Sequence, residues 1–583
     1  MLADMLGTSV TNAGLKDRII SHTANVPLFI EEVCRGLKDN GTLRGQWGDL
    51  ALVRPIEELG IPTSIQGVIA ARLDRVSRQE RLVLQVAAAL GPRSSEAVVR
   101  KVSELPEDAL RDCLAALDRA ELLVKIDSDI ADSLEFRHEM VRQVTYETMV
   151  EKVRESVHAR VLAAFENDEI SRDDPDALCY HAMRAKDWPK AFNYGRIAAQ
   201  KCLLRSAYAD AVDYFRTAMS SLDKTPITSS RETNAIDLRM EARMAFIWSG
   251  RVAEWIDLGK EADQRASEIN DVGRRVAAKT VMAGGQNFYG TPTEAVTLGE
   301  EVVGLAEESG NPGWRNLAQY NLGQAYFLAG RYREAERTIA RARAHLMGPD
   351  ASAPFGTPPK YTLLLCCMMK SFTHTVMGEF DAAEQLQQQA AAIAEETGRP
   401  YDRVAAAYSG GWLKLGRGEP AAAAAILEDG FVLAQKHGIR LFVPVLACHL
   451  GMAYLEQGLF ERARGMLTEA REEAKAVGYT SAVLRSSIYL ALATHRLGDV
   501  QAAQNMLREA RNTARQQGFS GLEAEALFGE AVVTPPSGAE AKAAILGALR
   551  ATIAIASESG ALPLQHKAEA MLNEMQATGD ELS

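Results

Sequence analysis

Cysteine and histidine are the residues best suited to act as nucleophiles, bases or metal ligands, and their spacing here supports none of these roles. The seven cysteines are Cys34, Cys113, Cys179, Cys202, Cys366, Cys367 and Cys448. They form no C-x-x-C pair and no zinc-ligand spacing, and no Ser-His-Asp, Cys-His or His-x-x-x-His arrangement is visible. His158, on a charged helical segment, is interpreted as a surface or packing residue. We therefore predict no catalytic residue, no metal site and reduced core cysteines in a cytoplasmic protein.

The sequence also lacks the usual motif of a phosphate-binding loop. No G-x-x-x-x-G-K-[ST] motif occurs in the chain, so no loop is predicted to cradle triphosphate oxygens or to place a magnesium ion. No acidic strand-end motif of the Walker B type is present near the N-terminus either. The sequence therefore predicts that this chain alone is not an enzyme and has no cofactor of its own.

Composition and charge limit the classes of protein to which this chain can belong. A chain of 583 residues is too long for one core, so several domains or a repeat array are expected. The low aromatic content of 6% and only 20 prolines indicate an all-α protein. A net charge of −12 disfavours nucleic acid and anionic membranes as partners. The longest apolar run, 361–369, is too short to span a bilayer.

A 40-residue period is the strongest pattern in the chain. Helical segments end at glycines spaced by this interval, at Gly398, Gly438, Gly478 and Gly518. Such glycines supply the left-handed residue that closes a helix, and a fixed period of helical hairpins is typical of an α-solenoid. The stretch 321–342 resembles the tetratricopeptide (TPR) pattern. We predict a TPR-like superhelix of about nine or ten hairpins over 175–575.

Two segments depart from this period. The stretch 347–360 carries four prolines and two glycines, and it is interpreted as a surface loop inserted between hairpins, with a functional hinge as the alternative. Residues 576–583 are interpreted as a tail.

The concave face of a TPR-like solenoid is the expected binding surface for a protein or peptide ligand. Trp412 and Tyr454 are candidate contact residues if their rings are exposed there. The alternative is that both belong to the core, because aromatic residues at helical spacing are more often buried.

Residues 61–168 follow a different pattern, in which amphipathic helices precede two short β-like runs at 122–126 and 134–138. Helices followed by a two-stranded ribbon predict a winged-helix domain. Its expected recognition helix, 106–122, has five acidic residues against two arginines, a net charge of −3. That helix would repel a phosphate backbone, so a protein-interaction or regulatory role is predicted.

Three quoted segments give a more specific resemblance. "VPLFIEEV", "GIPTSIQGVIAARLDRVSRQERLVLQVAAALG" and "LEFRHEMVRQVTYETMVEKVRESVHARVLAAFE" occur in this order. Together they resemble the lid and winged-helix part of bacterial STAND-type signalling ATPases. The resemblance is to the branch in which a class III adenylate/guanylate cyclase domain precedes the ATPase and a TPR array follows it. It implies that residues 1–60 are partial ATPase lid helices.

This resemblance also implies two nucleotide-contact candidates. In such ATPases a G-x-P turn of the lid touches the nucleotide, and a winged-helix histidine can contact the β-phosphate of ADP. By position these residues are Pro27 and His138, although Asn25 and Val26 stand where the family has glycine and asparagine. The alternative for His138 is a histidine satisfied at a strand end. ATP or ADP is expected to bind only if a P-loop domain outside this chain completes the site.

Three functions stay open on the sequence alone. The first is a regulatory scaffold of intracellular signalling that binds partner proteins through the solenoid. The second is the non-catalytic part of a split or truncated adenylate cyclase/ATPase whose catalytic half is encoded upstream, with a separate cyclase or ATPase domain as partner. The third is a STAND-type transcription regulator, which is disfavoured because no basic helix-turn-helix follows the array.

Overall fold

The computed structural model describes residues 2–7, 13–53, 64–126, 133–168, 171–348 and 351–580. Parts of the predicted lid region 1–60, the insertion 347–360 and the tail 576–583 lie outside these described residues. The chain divides into two compact units, Met1–Gly195 and Arg196–Ser583. It is 79% helical, which confirms the all-α, solenoid-containing class.

The first unit combines short helices with two small antiparallel sheets. Its helices are α1 (Leu2–Leu6), α2 (Ala13–Thr23), α3 (Pro27–Asp39), α4 (Ile65–Leu73), α5 (Arg78–Leu90), α6 (Glu96–Ser103), α7 (Glu107–Arg119), α8 (Glu139–Glu147), α9 (Glu151–Glu166), α10 (Pro175–Arg184) and the start of α11 (Trp188–Leu204). Its strands are β1 (Leu43–Gln46), β2 (Asp49–Leu52), β3 (Arg93–Ser95), β4 (Leu123–Ile126) and β5 (Ser133–Phe136). Strand β1 pairs with β2, and the second sheet has the order β3-β5-β4.

Local sequence accounts for most of these elements. Ser77 begins α5 with a capping box, in which its hydroxyl accepts from the Glu80 amide and the Glu80 carboxylate accepts from the Ser77 amide. The two predicted β-like runs correspond to β4 and β5. The structure adds β1, β2 and β3, which the sequence pattern does not predict because LRGQ, DLAL and RSS contain none of the β-branched or aromatic residues that mark β4 and β5.

A buried ion pair joins α3 to α4 in the first unit. The Arg72 guanidinium bonds the Glu32 carboxylate, and the two side chains are only 4% and 1% exposed. Arg72 Nη2 also donates to the carbonyl of Ala120 at 2.6 Å, just after α7. One arginine therefore connects three helices, and both charges of the pair depend on each other for compensation.

The second unit is an array of helical hairpins. Its helices after α11 are α12 (Tyr208–Leu222), α13 (Ser229–Trp248), α14 (Val252–Glu268), α15 (Val272–Tyr289), α16 (Pro292–Glu308), α17 (Pro312–Leu328), α18 (Tyr332–Met347), α19 (Tyr361–Met377), α20 (Phe380–Thr397), α21 (Pro400–Gly416), α22 (Pro420–Lys436), α23 (Val443–Glu456), α24 (Phe460–Val477), α25 (Thr480–Arg496), α26 (Val500–Gln517), α27 (Ser520–Val533), α28 (Ala539–Ser559) and α29 (Leu562–Asp580). Helix α29 reaches Asp580, so the described part of the predicted tail is helical.

The periodic glycines close the helices as predicted. Gly398, Gly438, Gly478 and Gly518 all have positive φ angles, between 63° and 83°. Residues with a Cβ adopt this conformation only with strain, so each glycine lets the chain reverse into the next helix. From α13 onward the odd-numbered helices are buried on most of their surface, whereas the even-numbered helices bury a narrower stripe. We call the odd-numbered set from α13 to α27 the inner helices.

The array winds back on itself within the second unit. The Thr480 hydroxyl donates to the carbonyl of Tyr289 at 3.3 Å across 191 residues. The rings of Phe288 and Tyr479 pack edge-to-face with centroids 4.7 Å apart. A separation of 191 residues is close to five 40-residue hairpins, so helices α15 and α25 meet after about one superhelical turn. The inner helices consequently surround an interior rather than an open groove.

Candidate ligand-binding cavity

The inner helices enclose a cavity of about 1190 Å³, including space that is open to solvent. Its wall combines apolar and aromatic side chains with a few polar groups. Prominent lining residues are Arg243, Trp255, Phe288, Tyr320, Tyr361, Phe372, Tyr401, Tyr408, Trp412, His449, Tyr479 and Arg485. A concave, mostly apolar site with few convergent polar groups is the usual form of a ligand pocket in proteins.

Trp412 stands at the centre of the aromatic wall. Its ring packs against Phe372 and His449, with centroid distances of 4.8 and 4.7 Å. On the same ring the Arg485 guanidinium lies 4.9 Å from the centroid, a cation–π arrangement. Arg485 Nη2 also donates to Glu525 Oε1 at 3.1 Å. Burial tends to lower the pKa of Arg485, but the Glu525 carboxylate outweighs burial and the pKa is raised.

His449 presents an unpaired nitrogen inside this wall. Its Nδ1 lies 2.6 Å from the carbonyl of Val445, so Nδ1 carries the proton and donates. Nε2 is then an acceptor, and it is buried without a hydrogen-bond partner among the described residues. Burial, aided by the positive charge of Arg485, lowers the pKa of His449 to about 3. The imidazole is therefore neutral at pH 7 and is a very weak base.

A second unpaired polar atom lies on the same cavity. The indole Nε1 of Trp255 is buried and has no partner among the described residues, so a donor accompanies the free acceptor of His449. Deeper in the wall two amide donors are satisfied: Asn287 Nδ2 donates to the Asn321 carbonyl and Asn321 Nδ2 to the Thr280 carbonyl, both at 2.9 Å. Asn287 Oδ1 and Ser409 Oγ are also buried without a hydrogen-bond partner among the described residues, so the interior holds several unpaired polar atoms.

The structure separates the two predicted partner-contact residues. Trp412 lines the cavity, but Tyr454 is buried away from it and only 4% exposed. The Tyr454 hydroxyl donates to Glu428 of α22, and the guanidinium of Arg462 stacks 4.2 Å from its ring centroid. The expectation of an exposed Tyr454 on the concave face is therefore corrected, because its side of α23 packs between outer helices.

The structure brings the helix of Pro27 next to His138. Pro27 is the first residue of α3, and Glu31 follows one turn later on the same helix. His138 precedes α8 as its N-cap residue, and its Nε2 lies 3.9 Å from Glu31 Oε2. That nitrogen is buried without a hydrogen-bond partner among the described residues. The interpretation of His138 as a satisfied strand-end histidine is therefore not what the structure shows.

His158 is a fully buried packing residue, not a surface one. Its Nδ1 lies 2.8 Å from Nδ1 of His181, and its Nε2 lies 2.9 Å from the Tyr146 hydroxyl. Only one of the two Nδ1 atoms can carry a proton in this contact. Burial lowers the pKa of His158 to about 3 and that of His181 to about 4, so both rings are neutral at pH 7.

The cysteines are free, buried thiols, as the sequence predicts. Burial raises the pKa of Cys448, which lines the cavity, to about 11, and a thiol at that pKa is a poor nucleophile at pH 7. Across the described residues no group of three or more His, Cys, Asp or Glu side chains could hold a metal ion. None of the described helices combines the length and hydropathy needed to cross a membrane.

Sequence reasoning missed Arg243, His449 and Arg485. His449 and Arg485 stand in mainly apolar stretches, "VPVLACHLGMAY" and "LRSSIYLALA", where an isolated polar side chain is a signal that could have identified them. Arg243 stands in "RMEARMAFIW" beside Arg239 and Glu241, so this signal does not distinguish it.

Fold and repeat together define the class: this is a TPR-like α-solenoid protein. A family model described as "Tetratricopeptide repeat" matches residues 363–397, which form the α19–α20 hairpin. An uncharacterized protein of Rhizobium meliloti (strain 1021) is 24% identical over 206 residues. That match covers 34% of this chain and 19% of the other protein, so the chain spans about a fifth of its relative's length.

Solved structures with a similar helical arrangement include two proteins of low sequence identity. One is a signal transduction ATPase with numerous domains (STAND) protein with a tetratricopeptide repeat sensor, from Pyrococcus horikoshii. It is 12% identical, with a TM-score of 0.34 over 97% of this chain and 70% of that one. The other is a Rap protein complexed with competence and sporulation factor. It is 12% identical, with a TM-score of 0.41 over 71% of this chain and 99% of that one.

Proposed function

We propose that this chain is a regulatory binding protein whose solenoid receives a short peptide segment of a partner protein in the cavity among its inner helices. The observation that carries the proposal is the pairing of an aromatic wall with buried polar atoms that have no hydrogen-bond partner among the described residues. An unsatisfied buried donor or acceptor costs about 1–3 kcal/mol, which a bound ligand recovers when it supplies the missing group.

A peptide has the chemistry that these atoms require. The Nε2 of His449 needs a donor, and the indole N–H of Trp255 needs an acceptor. A peptide backbone offers both groups in every residue, and apolar side chains of the same segment can pack against Trp412 and Phe372.

A binding role fits this cavity better than a catalytic one. General base catalysis is most effective when the pKa of the base lies near the working pH, and the pKa of His449 is about 3. The Cys448 thiol is held protonated by burial. We infer that the polar groups of the cavity recognise a ligand and do not transform it.

A steric block of the cavity tests this proposal. Ala482 lines the cavity on α25 and is 5% exposed, whereas Ala425 is exposed on the outer helix α22. Peptides are first selected from a random display library for binding to the full, unmodified chain. Their Kd for the Ala482→Phe variant is expected to be at least about tenfold higher than for the unmodified chain, because a phenyl ring there fills space that the peptide needs. Fluorescence anisotropy of labelled peptides gives the Kd values.

The Ala425→Phe variant is the matched control, since it adds the same ring outside the cavity. It should bind as the unmodified chain does, and near-UV circular dichroism of both variants checks that the fold is retained. Equal binding by Ala482→Phe and the unmodified chain would place the peptide elsewhere on the solenoid and contradict the proposal.

A second candidate function is the non-catalytic regulatory half of an adenylate cyclase/ATPase assembly, as the sequence resemblance implies. The His138 Nε2 supports it, because this nitrogen is buried beside α3 without a hydrogen-bond partner among the described residues, 3.9 Å from Glu31 Oε2, and the resemblance implies a phosphate contact for this histidine. On this proposal the chain alone should show no saturable ADP binding by calorimetry, because its sequence has no P-loop. Saturable binding that is lost in His138→Ala, but kept in the exposed-site control His22→Ala, would show a nucleotide site within the chain itself and overturn this candidate.

A further inference from the structure

Arg243 on α13 is a cavity-lining guanidinium that is 2% exposed and has no carboxylate partner among the described residues. Its hydrogen bonds go to neutral acceptors. Nη1 donates to the carbonyls of Met240 and Phe355, the latter at 2.8 Å, and Nη2 donates to the Thr357 hydroxyl. The Trp314 ring lies 5.1 Å away, measured from its centroid to the guanidinium carbon. The positive charge is therefore bonded but not neutralised.

Other buried arginines of the second unit are treated differently. Arg239, one turn earlier on α13, pairs with Glu261 at 2.7 Å, and Arg485 pairs with Glu525. The acidic residue that acts on Arg243 electrostatically is Glu241, and its carboxylate is bound by Arg196, whose Nε donates at 2.7 Å. Arg239 and Arg485 are thus each compensated by a carboxylate, whereas Arg243 is not compensated by any carboxylate of the described residues.

Burying an uncompensated cation costs several kcal/mol, and the penalty is recovered when an anion arrives in the same low-dielectric space. Burial lowers the pKa of Arg243 to about 10, so the group stays charged at pH 7. Hydroxyl donors stand beside it on the cavity wall. The Tyr361 and Tyr401 oxygens lie 3.2 Å apart, and burial raises the pKa of Tyr361 to about 12, so this phenol stays protonated and can donate.

We propose that the anchoring group of the ligand is a carboxylate bound by the Arg243 guanidinium, with an apolar or aromatic group of the same ligand packed on the wall around Trp412. Arginine matches a carboxylate with parallel N–H donors, and the aromatic lining supplies the apolar contact. This inference rests on the proposed function because it uses the same cavity. Two kinds of ligand carry such a carboxylate: a peptide, at its C-terminus, and a small aromatic acid.

A purely structural role for Arg243 makes a different prediction. Phe355 and Thr357 belong to the inserted segment between α18 and α19, so the guanidinium also anchors this loop across 112 and 114 residues. If anchoring were its whole role, loss of the Thr357 hydroxyl would have the same kind of effect on binding as loss of the charge. Thr357→Val removes one loop bond and leaves the cation in place, which separates the two roles.

The experiment compares acid and amide forms of each probe on the full chain by isothermal titration calorimetry. The probes are a library-selected peptide with a free C-terminus and its C-terminal amide, and phenylacetate and phenylacetamide. On the unmodified chain we expect the acid form to bind at least about tenfold more tightly than the amide. Arg243→Gln should lose this preference, whereas Thr357→Val should keep it.

Each outcome has a definite consequence. If the peptide acid binds tightly and phenylacetate does not, the ligand's carboxylate is a peptide C-terminus. If phenylacetate binds tightly and the peptide acid does not, the carboxylate site is supported but the proposed peptide function is overturned. Peptides that bind equally as acid and amide leave the proposed function intact and overturn this inference. Loss of the preference in Thr357→Val to the same extent as in Arg243→Gln also overturns it. The acid–amide comparison on the unmodified chain stays decisive even where a variant fails to fold.

Discussion

Replacing Arg72 with methionine is expected to lower the free energy of unfolding by about 3–5 kcal/mol, because it leaves the Glu32 carboxylate buried without a counter-charge. Glu32 is 1% exposed and Arg72 is its bonded partner. The substitution also removes the bond to the Ala120 carbonyl, which loses its donor in a partly buried setting. Urea unfolding followed by far-UV circular dichroism measures the change.

Two further variants show whether the cost comes from the unpaired charge. The double variant Glu32→Gln/Arg72→Met removes both charges, so it should be more stable than Arg72→Met alone. The matched control is Arg81→Met, since Arg81 forms an exposed pair with Asp74 at 3.2 Å and also donates to the Leu73 carbonyl at 2.7 Å. It loses the same kinds of bond without leaving a buried charge, so the expected cost is only about 1–2 kcal/mol. An Arg72→Met variant that costs no more than Arg81→Met would contradict the assignment of a coupled buried pair.

Acidification below pH 6.5 is expected to destabilise the folded chain through His158, His181 and His449. Their folded pKa values are about 3, 4 and 3, lowered chiefly by burial from an ordinary value of 6.5. The unfolded chain therefore binds protons first as the pH falls. The three neutral histidines make their full contribution to the free energy of unfolding above about pH 6.5. That contribution is lost as the pH falls from about 6.5 to the pKa values of the folded state. The expected slope is about 1.4 kcal/mol per pH unit for each histidine.

A non-titrating replacement isolates one contribution to this slope. His449→Asn keeps a donor near the Val445 carbonyl but cannot take up a proton, so the acid slope should fall by about 1.4 kcal/mol per pH unit. Urea unfolding at pH 7.5, 6.0 and 5.0, read by tryptophan fluorescence, is the measurement, and Trp412 on the His449 ring is a local reporter. A slope that is unchanged in this variant would show that His449 is not neutral in the folded state.

The repeat architecture follows from local chemistry, which is why the sequence predicts it well. A glycine every 40 residues marks a helix end because only a residue without Cβ adopts a positive φ freely, and the four predicted glycines do so. Strand β3 is not predicted for the opposite reason, because its pairing with β5 joins segments that lie apart in the chain, as Ser94 and Leu134 do. Strands β1 and β2 form a local hairpin, with Leu43 opposite Leu52, but they contain no β-branched or aromatic residue that would mark them as strands.

The cavity shows the limit of sequence patterns at a site. Trp412 and Tyr454 are both aromatic residues of inner helices, yet Trp412 faces the interior and Tyr454 contacts outer helices. Whether a side chain points to the interior or to the outer helices depends on the exact rotation of its helix against the neighbouring helices. Residue spacing alone does not fix that rotation.

The sequence by itself determined that this protein is an all-α chain built on a 40-residue helical repeat, because caps, period and composition act over a few residues. Tertiary structure alone decided what the repeat encloses. Winding over 191 residues brings Tyr289 to Thr480, and the bond from Arg243 to Phe355 spans 112 residues. These contacts create an aromatic interior, partly open to solvent, whose wall holds a cation that no carboxylate of the described residues compensates. They depend on packing between distant hairpins that no local pattern encodes.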